Sequence, residues 1–332
     1  MQILGIALSF LFAVIPMLLF AYLVYWVDRY EKEPVLLLGG VFLWGAIIAA
    51  GAAFITNTFL GLGIYIFTGS QTFTEITTAS AIAPVIEESL KGMACLFIFI
   101  FFRHEFDSIL DGIVYAAITA LGFAATENIY YIYTYGYLEN GINGILYVFF
   151  IRVIMVGWQH PFYTSFIGIG LAISRLNRNP SIKVLGPILG WGLAVLTHSV
   201  HNIISTIFQG LESVTIGILF DWSGWIAMIL FVIWALYREQ KWIKVQLAEE
   251  VTNGVITPSQ YKVAISAWAQ TKLRTSAIFS RKYRLINRFY ELAATLAFKK
   301  HQAYNLNELE ENQVDIERIR TELGNLSTQI ST

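Results

Sequence analysis

Seven stretches of the 332-residue chain run almost without a charge for about 20 residues or more, separated by short polar loops. Their limits are 3–27, 35–57, 77–102, 108–135, 146–173, 184–208 and 214–236. Each is long enough for a helix across a hydrocarbon layer about 30 Å thick. The pattern predicts an all-α fold, a polytopic membrane helix bundle of seven spans with a C-terminal cytoplasmic helical tail. No Lys or Arg precedes the first stretch and no small-residue cleavage pattern follows it. It is therefore read as a retained span, not a signal peptide.

Beyond Tyr237 the apolar runs become short and periodic, which divides the chain into a membrane domain over 1–236 and a basic helical tail over 237–332. A helical hairpin is expected over about 237–275. Thr257 supplies a cap, Pro258 fits the first helical position and Gln260 completes a capping box. A further helix is expected over about 280–327, where alternating charge on an apolar seam suits self-association or a cytoplasmic partner. A solvated tail with no specific task is the plainer reading.

Charge sorts the loops. Arg29 and Lys32 follow span one, Arg103 span three, Arg175, Arg178 and Lys183 span five, and Arg238, Lys241 and Lys244 span seven. The other three loops hold neither Lys nor Arg. By the positive-inside rule the N-terminus lies outside and the C-terminus in the cytoplasm of a plasma (inner) membrane protein.

Composition agrees with the membrane class: 56% of residues are hydrophobic and 14% charged, against about 25% charged in soluble domains. Mean hydropathy is +0.59. Cys95 is the single cysteine, so neither an intrachain disulfide nor a thiolate metal site can form, and it is read as a packing residue. Nucleic acid is not expected among the partners.

Against this apolar background, four spans carry ionisable or amide groups. Span three holds Glu87, Glu88 and Lys91 within one turn, so the ammonium can neutralise either acid. In span four Glu127 and Asn128 follow Phe123 by about one turn. Span five places His160 beside Pro161, and span six places His198, His201 and Asn202 at i, i+3 and i+4. Counting a rise of about 1.5 Å per residue, Glu87 and His160 lie roughly 15–22 Å from the outer surface, and His198 and Glu127 roughly 21–29 Å from the inner one. One polar pocket open to the outside can contain them all. An ionisable group at the bilayer centre costs about 2.5–3.5 kcal/mol on insertion scales, so a functional reason is expected. The duller readings are that Lys91 is a counter-ion, His201 packs helices, Arg152 snorkels to the headgroups, and Asp111 caps its helix or snorkels. Tyr130, Tyr131, Tyr133, Tyr135 and Tyr137 read as an outer aromatic belt. Asp221 in span seven belongs to no motif.

Peptide hydrolysis in a membrane needs water, a base and donors for the tetrahedral oxyanion. Glu87 or Glu88 can serve as the base, with Glu127 and His160 moving protons or positioning the nucleophile, and His198 with Asn202 donating to the oxyanion. Carboxylates and imidazoles are equally zinc ligands, and Glu88, Glu127, His160 and His198 are the candidates. The His-Glu-x-x-His spacing is absent, so spacing implies no metal, and either no cofactor or zinc is expected. There is no Gly-x-Ser-x-Gly and no transmembrane Asp pair in Tyr-Asp and Gly-x-Gly-Asp contexts, so rhomboid-like and presenilin-like mechanisms are unsupported.

The stretch Pro84-Val85-Ile86-Glu87-Glu88-Ser89-Leu90-Lys91-Gly92 resembles the Glu-Glu-x-x-Lys motif of the PrsW family of bacterial intramembrane proteases. Asp111–Tyr115 and Gly122–Asn128 are similar to that family's second motif, with Phe-x-x-x-Glu at its heart. His160 matches the third and His198-x-x-x-Asn202 the fourth, with His201 at a position often aromatic. Asp28–Pro34 looks like the family's first cytoplasmic loop. The family is related to the CAAX-processing and bacteriocin-immunity proteases, in which histidine stands at the position of Glu127. The resemblance covers roughly residues 20–210 and says nothing of the tail. It implies cleavage of single-pass membrane proteins such as anti-sigma factors from the extracytoplasmic side. A proton-coupled transporter and a non-catalytic membrane scaffold are the alternatives. Flux in sealed vesicles without cleavage selects the first, and capture of an uncut partner selects the second.

Overall fold

The structure, a computed structural model, describes residues 2–208, 210–279, 282–306 and 309–330. These form helices joined by turns, with no strand among the described residues. The chain divides into two compact units. The first comprises Met1–Val27, Glu33–Arg175 and Asn179–Phe231, and the second Asp28–Lys32, Leu176–Arg178 and Val232–Thr332.

The helices that matter are α1 (Gln2–Val27), α2 (Val35–Thr68), α3 (Ala83–Phe101), α4 (Ile109–Tyr131), α5 (Gln159–Arg175), α6 (Pro180–Ile207) and α7 (Gly210–Thr252). Among the described residues, five helical stretches are long and apolar enough to cross a membrane: Gln2–Val27, Val35–Thr68, Ile109–Arg175, Pro180–Ile207 and Gly210–Thr252. Helix α3 is not among them, because Glu87, Glu88 and Lys91 interrupt its apolar composition.

In the first unit α4 is the central element: every residue from Ile109 to Ala125 is buried. A helix that is apolar all round is stable only when neighbours cover every face. Its start is set by a capping box, in which Ser108 accepts from the amide of Asp111 and the Asp111 carboxylate accepts from Ser108 N–H. Glycines let neighbouring backbones touch it. A Cβ on Gly112 would lie 2.3 Å from the carbonyl oxygen of Gly168 in α5, and one on Gly122 would lie 2.0 Å from that of Phe42 in α2. Small residues at such crossings replace the absent hydrophobic driving force with close van der Waals contact. Near the start of α2 the Glu33 carboxylate accepts from the Tyr115 hydroxyl of α4.

Among the described residues, four π-helical turns interrupt the helices, at Trp44–Ala49, Thr78–Ile82, Ile132–Tyr137 and Phe150–Met155. Such turns re-register the backbone ladder and recur at functional sites. Three of them receive side-chain donors: Thr126 Oγ1 donates to Ala46 O at 2.5 Å, Asn202 Nδ2 to Ala79 O at 2.8 Å, and Trp222 Nε1 to Met155 O at 2.8 Å.

Helix α7 does not end where apolar character ends, near residue 236, but continues to Thr252. Residues 237–252 contain no Gly or Pro to break it. In the second unit the capping box at Thr257 and Gln260 opens α8 (Pro258–Ala264), followed by α9 (Ala267–Phe279), α10 (Tyr283–Leu306) and α11 (Leu309–Ile330). The stretch expected over 280–327 is thus divided between α10 and α11, and its residues 280, 281, 307 and 308 lie outside those described. Leu247, Phe289, Leu296 and Leu323 form this unit's core, which also takes in Tyr30. Glu250, fully buried, is held by Lys300 at 2.7 Å and Arg320 at 2.9 Å.

Candidate active site

Glu88 has no exposed surface, and both of its oxygens are hydrogen-bonded. Oε1 accepts from Lys91 Nζ at 2.6 Å and His198 Nδ1 at 2.9 Å, and Oε2 accepts from Thr164 Oγ1 at 2.8 Å. Residues of three helices thus converge on one carboxylate. Lys91 follows one turn later on α3, so sequence spacing alone delivers its ammonium. The same Nζ lies 4.3 Å above the ring of Phe123 and 3.3 Å from His160 Nδ1.

Glu87 differs. Asn57 Nδ2 approaches its Oε1 at 3.4 Å, while the buried Oε2 accepts no hydrogen bond. Oε2 lies 3.9 Å from His198 Nε2 and 3.9 Å from Lys91 Nζ. Because Glu88 can only accept, the proton of a neutral His198 sits on Nδ1, and its Nε2 presents a lone pair toward Glu87. Glu87 Oε2 and the His198 Nε2 lone pair therefore face each other beyond hydrogen-bond distance. Electron-pair donors left so in a buried site fit a metal ion or a water molecule. Among the described residues, Glu87, His160 and His198 each bring one ligand atom within 4.8 Å of the others.

The other side of the site is built by α4 and the segment before α5. His160 Nε2 lies 2.8 Å from Glu127 Oε2, and Arg152 Nη2 donates to the same oxygen at 2.7 Å. Arg152 Nε donates to Asn128 Oδ1 at 3.0 Å, and its guanidinium lies 3.8 Å from the centre of the Tyr131 ring. With Lys91 donating to Nδ1, the Nε2 proton of a neutral His160 points at Glu127. The Glu127 and Arg152 side chains are 22% and 19% exposed, whereas Lys91 and Glu88 are wholly shielded. Glu127 and Arg152 therefore form the accessible face of the cluster.

Glu87, Glu88, Glu127, His160 and His198 are brought together, with Lys91, Phe123 and Asn128 against them. Asn202 and His201 turn elsewhere. Asn202, expected beside His198 as an oxyanion donor, gives its Nδ2 to the π-helical turn that precedes Glu87. His201 pairs with Asp221 in α7. Residues three and four apart share a helix side but still diverge enough to face different neighbours. Of the zinc candidates expected from residue type, His160 and His198 stand with Glu87 in the group whose ligand atoms lie within 4.8 Å of one another. Glu88 and Glu127 are not in that group: Glu88 accepts from three donors, and Glu127 Oε2 is shared by Arg152 and His160.

Arg152, expected at the headgroups from its depth, is instead the counter-ion of Glu127. The sequence signal was the lack of any cation within a turn of Glu127. Thr164, four residues after His160, and Asp221, the sole acid of the last apolar stretch, were readable by spacing and by bilayer cost respectively. Asn57 carried no signal, because its partner lies 30 residues away.

A family model described as PrsW family intramembrane metalloprotease matches residues 33–237, more than half of the chain. Among similar proteins, the Protease PrsW of Oceanobacillus iheyensis is 32% identical over 207 residues, 62% of this chain and 83% of that relative. That of Clostridioides difficile is 32% identical over 138 residues, 40% and 56% of the two chains. That of Geobacillus kaustophilus is 34% identical over 116 residues, 35% and 46%. No solved structure matches. The matched region contains the whole carboxylate–imidazole cluster, and this chain belongs to the PrsW family of intramembrane metalloproteases.

Proposed function

We propose that this chain is an intramembrane endopeptidase that hydrolyses peptide bonds of single-pass membrane proteins, of the anti-sigma-factor type, near the extracytoplasmic side of the plasma membrane. The observation that carries this reading is the buried Glu87 Oε2, which has no hydrogen-bond partner and lies 3.9 Å from His198 Nε2 in a group where Glu87, His160 and His198 bring ligand atoms within 4.8 Å of one another.

Seven spans follow when two features are weighed. Helix α3 has 19 residues, enough to cross with its charges internally paired, and Ile109–Arg175 contains two separate crossings, α4 and α5. With basic loops in the cytoplasm, the N-terminus lies outside, and the segment after residue 236 is a cytoplasmic tail.

Glu87, His160 and His198 would hold a zinc ion. When bound, the ion supplies Lewis acidity toward water and the scissile carbonyl. The chain's own groups divide the remaining work. Glu87 would use the carboxylate oxygen not engaged by the ion to take a proton from the attacking water as the water oxygen bonds to the carbonyl carbon. The carbonyl π electrons move to oxygen, and Arg152, the exposed cation of the site, faces the resulting oxyanion with the N–H groups left after its two bonds. The carbonyl re-forms as the carbon–nitrogen bond breaks, and the leaving nitrogen takes the proton that Glu87 had accepted, which returns Glu87 to its carboxylate form. Glu88 stays out of the proton traffic: engaged by Lys91, Thr164 and His198, it holds His198 in one tautomer.

The test is cleavage of a panel of tagged single-span membrane proteins by the purified full chain, with and without a zinc chelator. Glu87→Gln is expected to insert and fold but to cut nothing. Chelation is expected to abolish wild-type cleavage and added zinc to restore it. Undiminished cleavage by Glu87→Gln would overturn the assignment.

A further inference from the structure

Asp221 lies in the last apolar helix, touches none of the reacting groups, and is completely buried. An acid so placed is expensive in a bilayer and calls for a function. Its Oδ1 accepts from the Tyr163 hydroxyl at 2.7 Å, and His201 Nδ1 lies 3.1 Å from Oδ1 and 3.0 Å from Oδ2. Tyr163, itself wholly buried, lies nearly parallel to the His198 ring, with centroids 5.1 Å apart and planes at 22°. Its edge meets His160 at 6.1 Å, and the two imidazoles stand 5.2 Å apart at 82°. One tyrosine ring therefore backs both histidines of the cluster, and Asp221 is what holds that ring by its hydroxyl.

We propose that Asp221 is a positioning residue of the hydrolytic site, acting through Tyr163 to fix the plane of His198, with His201 as the donor that holds Asp221 in place. The Nδ1 bond to Glu88 fixes one point of the His198 ring but leaves rotation about that bond open. The stacked Tyr163 ring closes that freedom and keeps Nε2 aimed at Glu87. Outer partners that orient an active histidine typically matter about 10- to 100-fold in activity or metal affinity. The role rests on the protease reading above, so its test includes a signal that does not depend on cleavage.

The experiment compares wild type, Tyr163→Phe, Asp221→Leu and Asp221→Asn as purified full chains. Side-chain NMR of 15N-labelled histidine is read beside kcat and KM on the cleaved single-span protein. Tyr163→Phe and Asp221→Leu are expected to shift the His198 ring signals, leave those of His104 and His301 in place, and lower kcat about 10- to 100-fold with KM little changed. Asp221→Asn keeps an oxygen acceptor and is expected to recover most of the lost kcat. Tyr163→Phe removes one oxygen atom only, so the test survives if Asp221→Leu fails to fold. Shifted His198 signals in Tyr163→Phe, with a wild type that cuts nothing, would retain the positioning role and remove the protease reading. Unmoved His198 signals and an unmoved kcat in Tyr163→Phe would overturn the positioning role alone.

Discussion

Oε1 of Glu88 and Nζ of Lys91 lie 2.6 Å apart, and neither side chain has any exposed surface. The contact spans less than one helical turn, so any helix through this sequence brings the two close. Burial makes the pair one-sided, since the ammonium and the carboxylate each need the other more than they stabilise the fold.

Lys91→Met is accordingly expected to lower unfolding stability by about 3–5 kcal/mol, the usual result of stranding one member of a buried pair. The double variant Lys91→Met/Glu88→Gln removes the stranded charge and is expected to recover much of that loss. Thermal unfolding of the purified chains in one detergent checks both. A Lys91→Met chain as stable as wild type would show that the pair carries no such weight.

Glu87 and Glu88 are adjacent but should separate by measurement. Glu88→Gln disrupts three hydrogen bonds to charged or polar donors, so it is expected to lose activity and also about 2–5 kcal/mol of stability. Glu87→Gln leaves an oxygen that already lacked a donor, and its melting temperature is expected to stay close to wild type. Zinc titration adds a second axis: Glu87→Ala and His198→Gln are expected to lose binding, and Glu88→Gln to weaken it by about 10- to 100-fold through the freed His198. Equal melting temperatures for the two glutamine variants would contradict this division.

Gly168 is the position where packing and chemistry meet. A Cβ there would lie 1.9 Å from the carbonyl oxygen of Gly112, so Gly168→Ala must push α5 away from α4. The first carries His160 and the second Glu127, now 2.8 Å apart. A displacement of about 1 Å in a reacting constellation can lower the rate on the order of 100-fold. Cleavage by Gly168→Ala is expected to fall at least tenfold while the chain still inserts. Gly192→Ala, with nothing near its Cβ, is the control.

In the second unit, His301 stacks on Trp242 with centroids 4.1 Å apart, and its Nε2 accepts from Asn305 at 2.7 Å. Burial first, and the charge of Arg238 second, lower its pKa from 6.5 to about 4. The unfolded chain then binds the proton more tightly, so this contribution to stability is whole above about pH 6.5 and disappears as pH falls toward 4. Hydrogen exchange of the full chain, corrected for intrinsic rates, is expected to show α10 less protected at pH 4.5 than at pH 7. His301→Gln should flatten that difference, and an undiminished decline in the variant would count against His301 as its source.

Apolar length, the position of each charge along a helix and the caps at Asp111 and Thr257 are local properties, and all were legible before any fold was known. So was the presence of Glu87, Glu88, Glu127, His160 and His198 within spans, because a bilayer penalises each of them separately. Less visible was the end of α7, since a change from apolar to charged residues alters what surrounds a helix without breaking it.

By itself the sequence determined that this is a helical membrane protein with its acids and imidazoles gathered on a few spans, since hydropathy and spacing act residue by residue. Only the tertiary structure decided which oxygen stays free: Glu87 and not Glu88, with Arg152 on Glu127, Asn202 on a backbone carbonyl and Asp221 behind Tyr163. Those partners come from elements distant in sequence. Their meeting depends on how far each helix is rotated and how closely its glycines let it approach, which no local pattern encodes.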